Sequence, residues 1–251
     1  MESQIDFKND HGERLVGTVH EPETPDDRGV ILGHCFTCSR HTRILKRIAY
    51  HLAEVGISAL RFDFSGNGGS EGTFERSTYS RQIGEIKTAA QWFADRGISR
   101  LGLAGHSMGA AIAVLAGAEM DSVRAVCALA GRTSGLGAMG FLSAAQKEEL
   151  DRTGRVTFQS RGRSLALTDE FFADAGRYDI EAIIRDYPKP LMIVHGDADA
   201  VISIDEAHAA KRSNPAGVEL AVIAEADHMF SQQVHQDQVS GRVVEWIQKL
   251  L

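Results

Sequence analysis

Leu101-Gly102-Leu103-Ala104-Gly105-His106-Ser107-Met108-Gly109-Ala110-Ala111 is an apolar run that stops at a serine and continues in small residues. Gly105 to Gly109 spell G-x-S-x-G, the pattern of a strand-to-helix elbow that lifts a serine hydroxyl above a sheet. So sharp a turn brings neighbouring backbone close to the flanking positions, which is why both carry glycine. The stretch predicts a strand up to the serine and a helix through Ala110, Ile112, Val114 and Leu115. The Met108 N–H then sits at the helix start, where unpaired donors and the helix dipole favour a developing oxyanion. Gly and Ser are common enough for a chance pentapeptide, but the buried-type strand before it and the Ala-rich helix after it are the context that the pattern requires.

Outward from this elbow the chain alternates strands and helices. Gly29–Gly33, Ile57–Phe64, Val123–Leu129, Pro190–Gly196 and Val218–Ile223 are short apolar runs bounded by turn residues. Between them, Ile44, Leu45, Ile48, Leu52 and Val55 recur at helical spacing before Gly56, and a second helix spans Tyr79 to Arg96 before Gly97. Further helices are expected over Ile204–Lys211 and Gln238–Leu250. Ile5–Phe7 and Leu15–His20 bracket Asn9-Asp10-His11-Gly12 and read as an antiparallel hairpin at the sheet edge. This is an α/β pattern, a mostly parallel central sheet flanked by helices.

The rhythm breaks after Gly131. Residues 131–188 hold no buried-type parallel strand and read as a small cap or lid inserted into a core of residues 1–130 and 189–251. Inside the insertion, Arg155–Gln159 and Ser164–Leu167 are spaced to pair across Arg161-Gly162-Arg163, ahead of a helix around Phe171 and Phe172. Arg152, Arg155, Arg161 and Arg163 cluster there and read first as a solvated face, with attraction of an anionic substrate as the alternative.

With 251 residues, 43% hydrophobic and 24% charged, the chain is long enough for a sizeable single core. Its net charge of −7 argues against nucleic acid or an anionic membrane as the main partner. The N-terminus lacks a basic start followed by an apolar segment, and no stretch approaches a membrane span, so a cytoplasmic location is expected. Three cysteines are an odd count, unlike a disulfide framework and suited to a reducing compartment. Cys35-Phe36-Thr37-Cys38 spells C-x-x-C but follows an apolar strand and His34, without the helix start or second pair that redox or zinc chemistry wants. Glycine-rich Phe62–Ser70 lacks the spacing of a nucleotide-binding loop, and Asp63 there is expected to brace a turn. No metal or organic cofactor is implied, and a small molecule is the default partner. The sequence leaves the oligomeric state open, a homodimer included.

A serine hydroxyl needs a base, and the base a carboxylate that fixes its tautomer. Of the histidines after Ser107, His228 lies in the loop just beyond the last strand. His195 is expected to support the turn at Gly196, while His208 and His235 read as helix-surface residues. Asp197 and Asp199, beyond the penultimate strand, both offer the carboxylate; Asp199 is favoured, because Asp197 directly follows the strand-ending glycine and suits a loop-bracing role.

Taken together, Gly33–Ser39, Arg61–Gly72, the elbow, His195–Asp199 and Ala226–His228 resemble the α/β-hydrolase family over nearly the whole chain. The similarity is greatest to feruloyl/cinnamoyl-esterase-like carboxylesterases and to the hydrolase half of proteins fused to an OsmC domain. The resemblance implies an α/β-hydrolase fold and the catalytic set Ser107, Asp199 and His228, with His195–Asp199 matching His-Gly-x-x-Asp. It also implies that the segment from His34 is the oxyanion loop, so that Phe36 N–H joins Met108 N–H. Cys35 departs from the family's usual glycine. The expected activity is carboxylic-ester hydrolysis through an acyl-enzyme, with a thioesterase, an amidase or peptidase, and a catalytically silent binding protein as alternatives. Candidate substrate contacts are His106 beside the nucleophile and the insertion's Phe158, Leu165, Leu167, Phe171 and Phe172.

Overall fold

The computed structural model describes residues 1–251. In chain order the elements are β1 (Glu2–Lys8), β2 (Arg14–His20), β3 (Arg28–Gly33), α1 (Arg43–Glu54), β4 (Ser58–Phe62), α2 (Tyr79–Ala94), β5 (Arg100–His106), α3 (Met108–Glu119) and β6 (Val123–Leu129). There follow α4 (Ala144–Thr153), β7 (Arg155–Ser160), β8 (Arg163–Thr168), α5 (Asp169–Ala175), α6 (Ile180–Arg185), β9 (Leu191–Gly196), α7 (Ile204–Ser213), β10 (Val218–Ile223) and α8 (Gln233–Leu250).

Eight strands form one sheet in the order β1-β2-β4-β3-β5-β6-β9-β10. Only the β1–β2 and β2–β4 pairs are antiparallel; from β4 to β10 every pairing is parallel. The parallel strands β3, β4, β5 and β9 are buried almost end to end, as both of their faces are covered, whereas edge strand β1 alternates exposed and half-buried residues. On one face the core contains α1 and α8, through Ile44, Leu45, Ile48, Val243 and Ile247. On the other it contains α2, α3 and the helices of the insertion, through Ile83, Phe93, Ile112, Phe171 and Ile184. Helix α3 is buried along nearly its whole length, which its apolar and small residues allow on every face. No helix is long and apolar enough to cross a membrane.

Between β6 and β9 the chain leaves the sheet. β7 and β8 pair antiparallel, and their two-residue turn, Arg161-Gly162, has positive φ at both positions (51° and 74°), the geometry that matches strand twist in a tight hairpin. The hairpin is tied to the loop after β3: Thr37 and Ser160 hydroxyls lie 2.8 Å apart, and Arg163 donates to the Thr37 carbonyl at 3.2 Å.

Several boundaries differ from the sequence expectations. Helix α8 begins at Gln233, five residues early, because Gln233, Gln236 and Gln238 hide its apolar period. Consequently His235 is buried at 5% exposure and is no surface residue. β4 ends at Phe62, since the Asp63 carboxylate turns to accept the N–H groups of Arg40 and Gly69. Helices α4 and α6 were not expected; Ser143 and Gln146 form a capping box at the start of α4.

Candidate active site

Ser107 lies between β5 and α3 with φ 58° and ψ −118°, a left-handed conformation that a non-glycine residue rarely holds. Its flanking glycines are compelled. A Cβ on Gly105 would stand 2.0 Å from the Gly109 carbonyl oxygen, and one on Gly109 would stand 2.4 Å from that of Gly33. The backbone is anchored by the Ser107 N–H donating to the Leu129 carbonyl of β6 at 2.8 Å.

Loops from three strand ends meet at this hydroxyl. Ser107 Oγ–H points to His228 Nε2 at 3.0 Å, and His228 Nδ1–H donates to Asp199 Oδ2 at 2.8 Å. The other Asp199 oxygen accepts the N–H groups of Val201 and Ile202 at 2.8 and 2.9 Å. His195 Nε2 sits 2.9 Å from the Ile202 carbonyl and 3.2 Å from Asp199 Oδ2. Burial alone would raise the Asp199 pKa, but these bonds from His195, His228 and the backbone outweigh it and hold the carboxyl well below its usual range. His195 thus braces the acid's loop beyond Gly196. Asp197 accepts the Glu225 N–H at 2.6 Å, the loop-bracing role open to it. Glu225 and Phe230, either side of His228, also hold positive φ, so strained backbone gathers at this loop.

His106 lies below this row, fully buried. Its Nε2–H donates to the His228 carbonyl at 2.7 Å, and burial pushes its pKa down to about 4. It therefore positions the His228 loop as a neutral imidazole and takes no place in the cavity wall.

A cavity of about 340 Å³ opens on Ser107, and eleven of its sixteen lining residues are hydrophobic, so it suits an apolar group. Phe36 and Met108 line it together with Ser107. Phe36 N–H has no acceptor within the protein, and Met108, as the first residue of α3, has no intrahelical partner for its own. Of the insertion's expected contacts, Phe158 and Phe171 line the cavity, whereas Leu165, Leu167 and Phe172 do not. Leu167 and Phe172 are buried in the core and Leu165 packs against it. Tyr79, Leu136, Phe141 and Ile202 line it as well and were not foreseen. Phe141 follows Gly140 in a segment with no period, and Tyr79 looked like an ordinary helix start.

The loop holding Phe36 brings a correction. Cys35 and Cys38, expected to be reduced, are joined by a disulfide, across a turn closed by the Cys38 N–H on the Cys35 carbonyl that sets their Cα atoms 5.2 Å apart. The cysteine count therefore no longer argues for a reducing compartment; Cys127 alone is free, and buried. His34 spans the same loop from within, donating from Nδ1 to the Cys35 carbonyl at 2.7 Å and accepting the Phe64 N–H on Nε2 at 3.0 Å.

Three solved structures are similar over almost their full length. The esterase domain of a Rhodothermus marinus protein shares 22% identity at TM-score 0.78, covering 99% of this chain and 98% of that one. Est1E from Butyrivibrio proteoclasticus with bound ferulic acid shares 24% at TM-score 0.79, covering 98% of both chains. The Pyrococcus furiosus esterase Pf2001 shares 21% at TM-score 0.72, covering 100% of this chain and 93% of that one. No curated protein matches the chain in sequence. The family model described as "Alpha/beta hydrolase family" matches residues 29–242, across the sheet from β3 onward, the elbow and both loops that face it, and the chain belongs to that family.

Proposed function

We propose that this protein is a serine hydrolase of the carboxylesterase type, cleaving small-molecule esters through an acyl-enzyme on Ser107. The observation that carries the reading is the unbroken chain from Ser107 Oγ through His228 to the buried Asp199, opening on an apolar cavity. His228 Nε2 takes the hydroxyl proton as Oγ bonds to the ester carbonyl carbon, and Asp199 holds the ring in the tautomer with its proton on Nδ1. The oxyanion formed on the carbonyl is received by the N–H groups of Phe36 and Met108. As the C–O bond breaks, His228 returns its proton to the departing alcohol. Water then repeats the sequence on the acyl-enzyme, releasing the acid and restoring Ser107.

The acyl group sits in the apolar cavity, against Phe158 and Phe171. A fluorophosphonate probe gives the direct test, since it phosphonylates an activated serine. Labelling of the wild-type protein, lost in Ser107→Ala, supports the reading; a folded protein that stays unlabelled and turns over no activated ester points instead to a binding protein. Ester, thioester and anilide substrates with one acyl group rank the leaving groups.

A further inference from the structure

A second cavity, of about 680 Å³, is walled by Thr37, Cys38 and Ser39 of the disulfide loop. Thr37 belongs to both walls, so the two meet beside Phe36. The larger one has a different chemistry: among its lining residues are Arg43, Arg161, Arg163 and His41, and no carboxylate. Arg43 and Arg161 are in no ion pair and make no side-chain hydrogen bond, and Arg163 spends one N–H on the Thr37 carbonyl. Arginines left without acids in a concave wall concentrate positive potential there, and their planar forks suit carboxylate and phosphate oxygens.

The reaction sets which part of a substrate faces this groove. His228 must pass its proton to the departing oxygen, so the alcohol lies on the His228 side of Ser107 while the acyl group occupies the apolar cavity. Met229, directly after His228, and Thr37, directly after Phe36, are both walls of the cationic groove.

Resting on the hydrolase reading above, we infer that the groove selects esters whose alcohol carries a carboxylate or phosphate, bound by Arg161 and Arg43 with Arg163 at its floor. The net charge of the chain is −7, so the preference is a local property of this wall rather than of the whole surface.

The test uses esters of one apolar acid with three alcohols: neutral, carboxylate-bearing and phosphate-bearing. The wild-type protein should favour at least one anionic alcohol over the neutral one in kcat/KM, the larger preference naming the anion. In Arg161→Gln and in Arg43→Gln, both exposed and so tolerant of change, the anionic-to-neutral ratio should fall by about tenfold each, the scale of one charge-assisted hydrogen bond. Added salt should lower the ratio as well. A wild-type ratio near one, or a ratio untouched by both substitutions, overturns the inference while turnover of the neutral ester leaves the hydrolase reading standing. No turnover of any ester would sink the underlying reading itself.

Discussion

The strand-end loops and the inserted segment both reach Ser107, but they are held by different forces. Asp199, His228 and His106 are fixed by directional bonds between buried groups, two of the Asp199 contacts coming from backbone N–H. The insertion ties its hairpin to Thr37 through Ser160 and Arg163, but it reaches the cavity itself through rings. Phe36, the proposed oxyanion donor, stacks on Phe158 with centroids 5.9 Å apart and also meets Phe141 and Phe171. Hydrogen bonds set an atom's position to tenths of an ångström, while packed rings set a shape and a volume. The first region should therefore govern rate and the second choice of substrate, with Phe36 the residue where the two overlap.

The largest expected effect lies in the strand-end loops. Ser107→Ala should lower kcat by 10⁴ or more, and Asp199→Asn by on the order of 10⁴, through loss of the nucleophile and of the correct His228 tautomer. Asp197→Asn, which weakens only a loop brace, should cost less than about tenfold. A Ser107→Ala protein that keeps a tenth of the activity, or an Asp197 variant worse than the Asp199 one, breaks the assignment.

Acid should act on the core rather than on the insertion. His20 and His106 are buried and both are pushed down to about 4, chiefly by desolvation. Their unfolded forms titrate near 6.5, so the unfolded state binds more protons between these values and stability falls as pH drops through that window. The loss should reach on the order of 3 kcal/mol per histidine below about pH 4. Residues 131–188 contain no histidine, so this source of acid sensitivity belongs to the core alone. Urea unfolding midpoints at pH 7.5 and 4.5 measure it; equal midpoints would mean that these rings take up protons in the folded state.

What the sequence disclosed follows the same division. The strand–helix rhythm, the elbow glycines and the position of His228 after the final strand were legible because each is a local pattern with a steric or topological cause. Asp199 over Asp197 was only weakly legible, since the choice depends on which carboxylate faces His228 across 29 residues of chain. The insertion was legible as a break in rhythm and as the β7–β8 hairpin, yet its cavity wall was not. Phe158, Leu165, Leu167, Phe171 and Phe172 are alike in sequence, and only tertiary packing turns two of them toward Ser107 and the others away. The disulfide escaped because it depends on a turn that brings two Cα atoms together, which C-x-x-C permits without requiring.

A smaller effect would sharpen the division at Phe36. Phe158→Ala removes one ring that touches both Phe36 and the cavity. If the insertion governs selection, kcat/KM for a bulky aromatic acyl ester should fall about tenfold relative to an acetate ester of the same alcohol. Equal losses on both would show that Phe158 acts by holding the Phe36 backbone, and the boundary between rate and selection would move into the insertion.

The smallest effect concerns the loop itself. Reducing Cys35–Cys38 with a dithiol, or Cys38→Ser, removes one of several constraints on Phe36 N–H. His34 still bridges the Cys35 carbonyl and the Phe64 N–H, Ser160 and Arg163 still hold Thr37, and the phenylalanine rings still clasp the side chain. An oxyanion donor contributes mainly in the transition state, so the loss should fall on kcat with KM nearly unchanged. With the hydrogen bonds intact it should amount to about threefold to fivefold, well short of deleting a donor, which costs about 10²–10³. Steady-state kinetics before and after reduction, with labelling of two thiols as the control, measure it. A hundredfold fall in kcat would mean that the disulfide alone keeps Phe36 in place, and the loop would then depend on a covalent link where the rest of the strand-end machinery depends on buried hydrogen bonds.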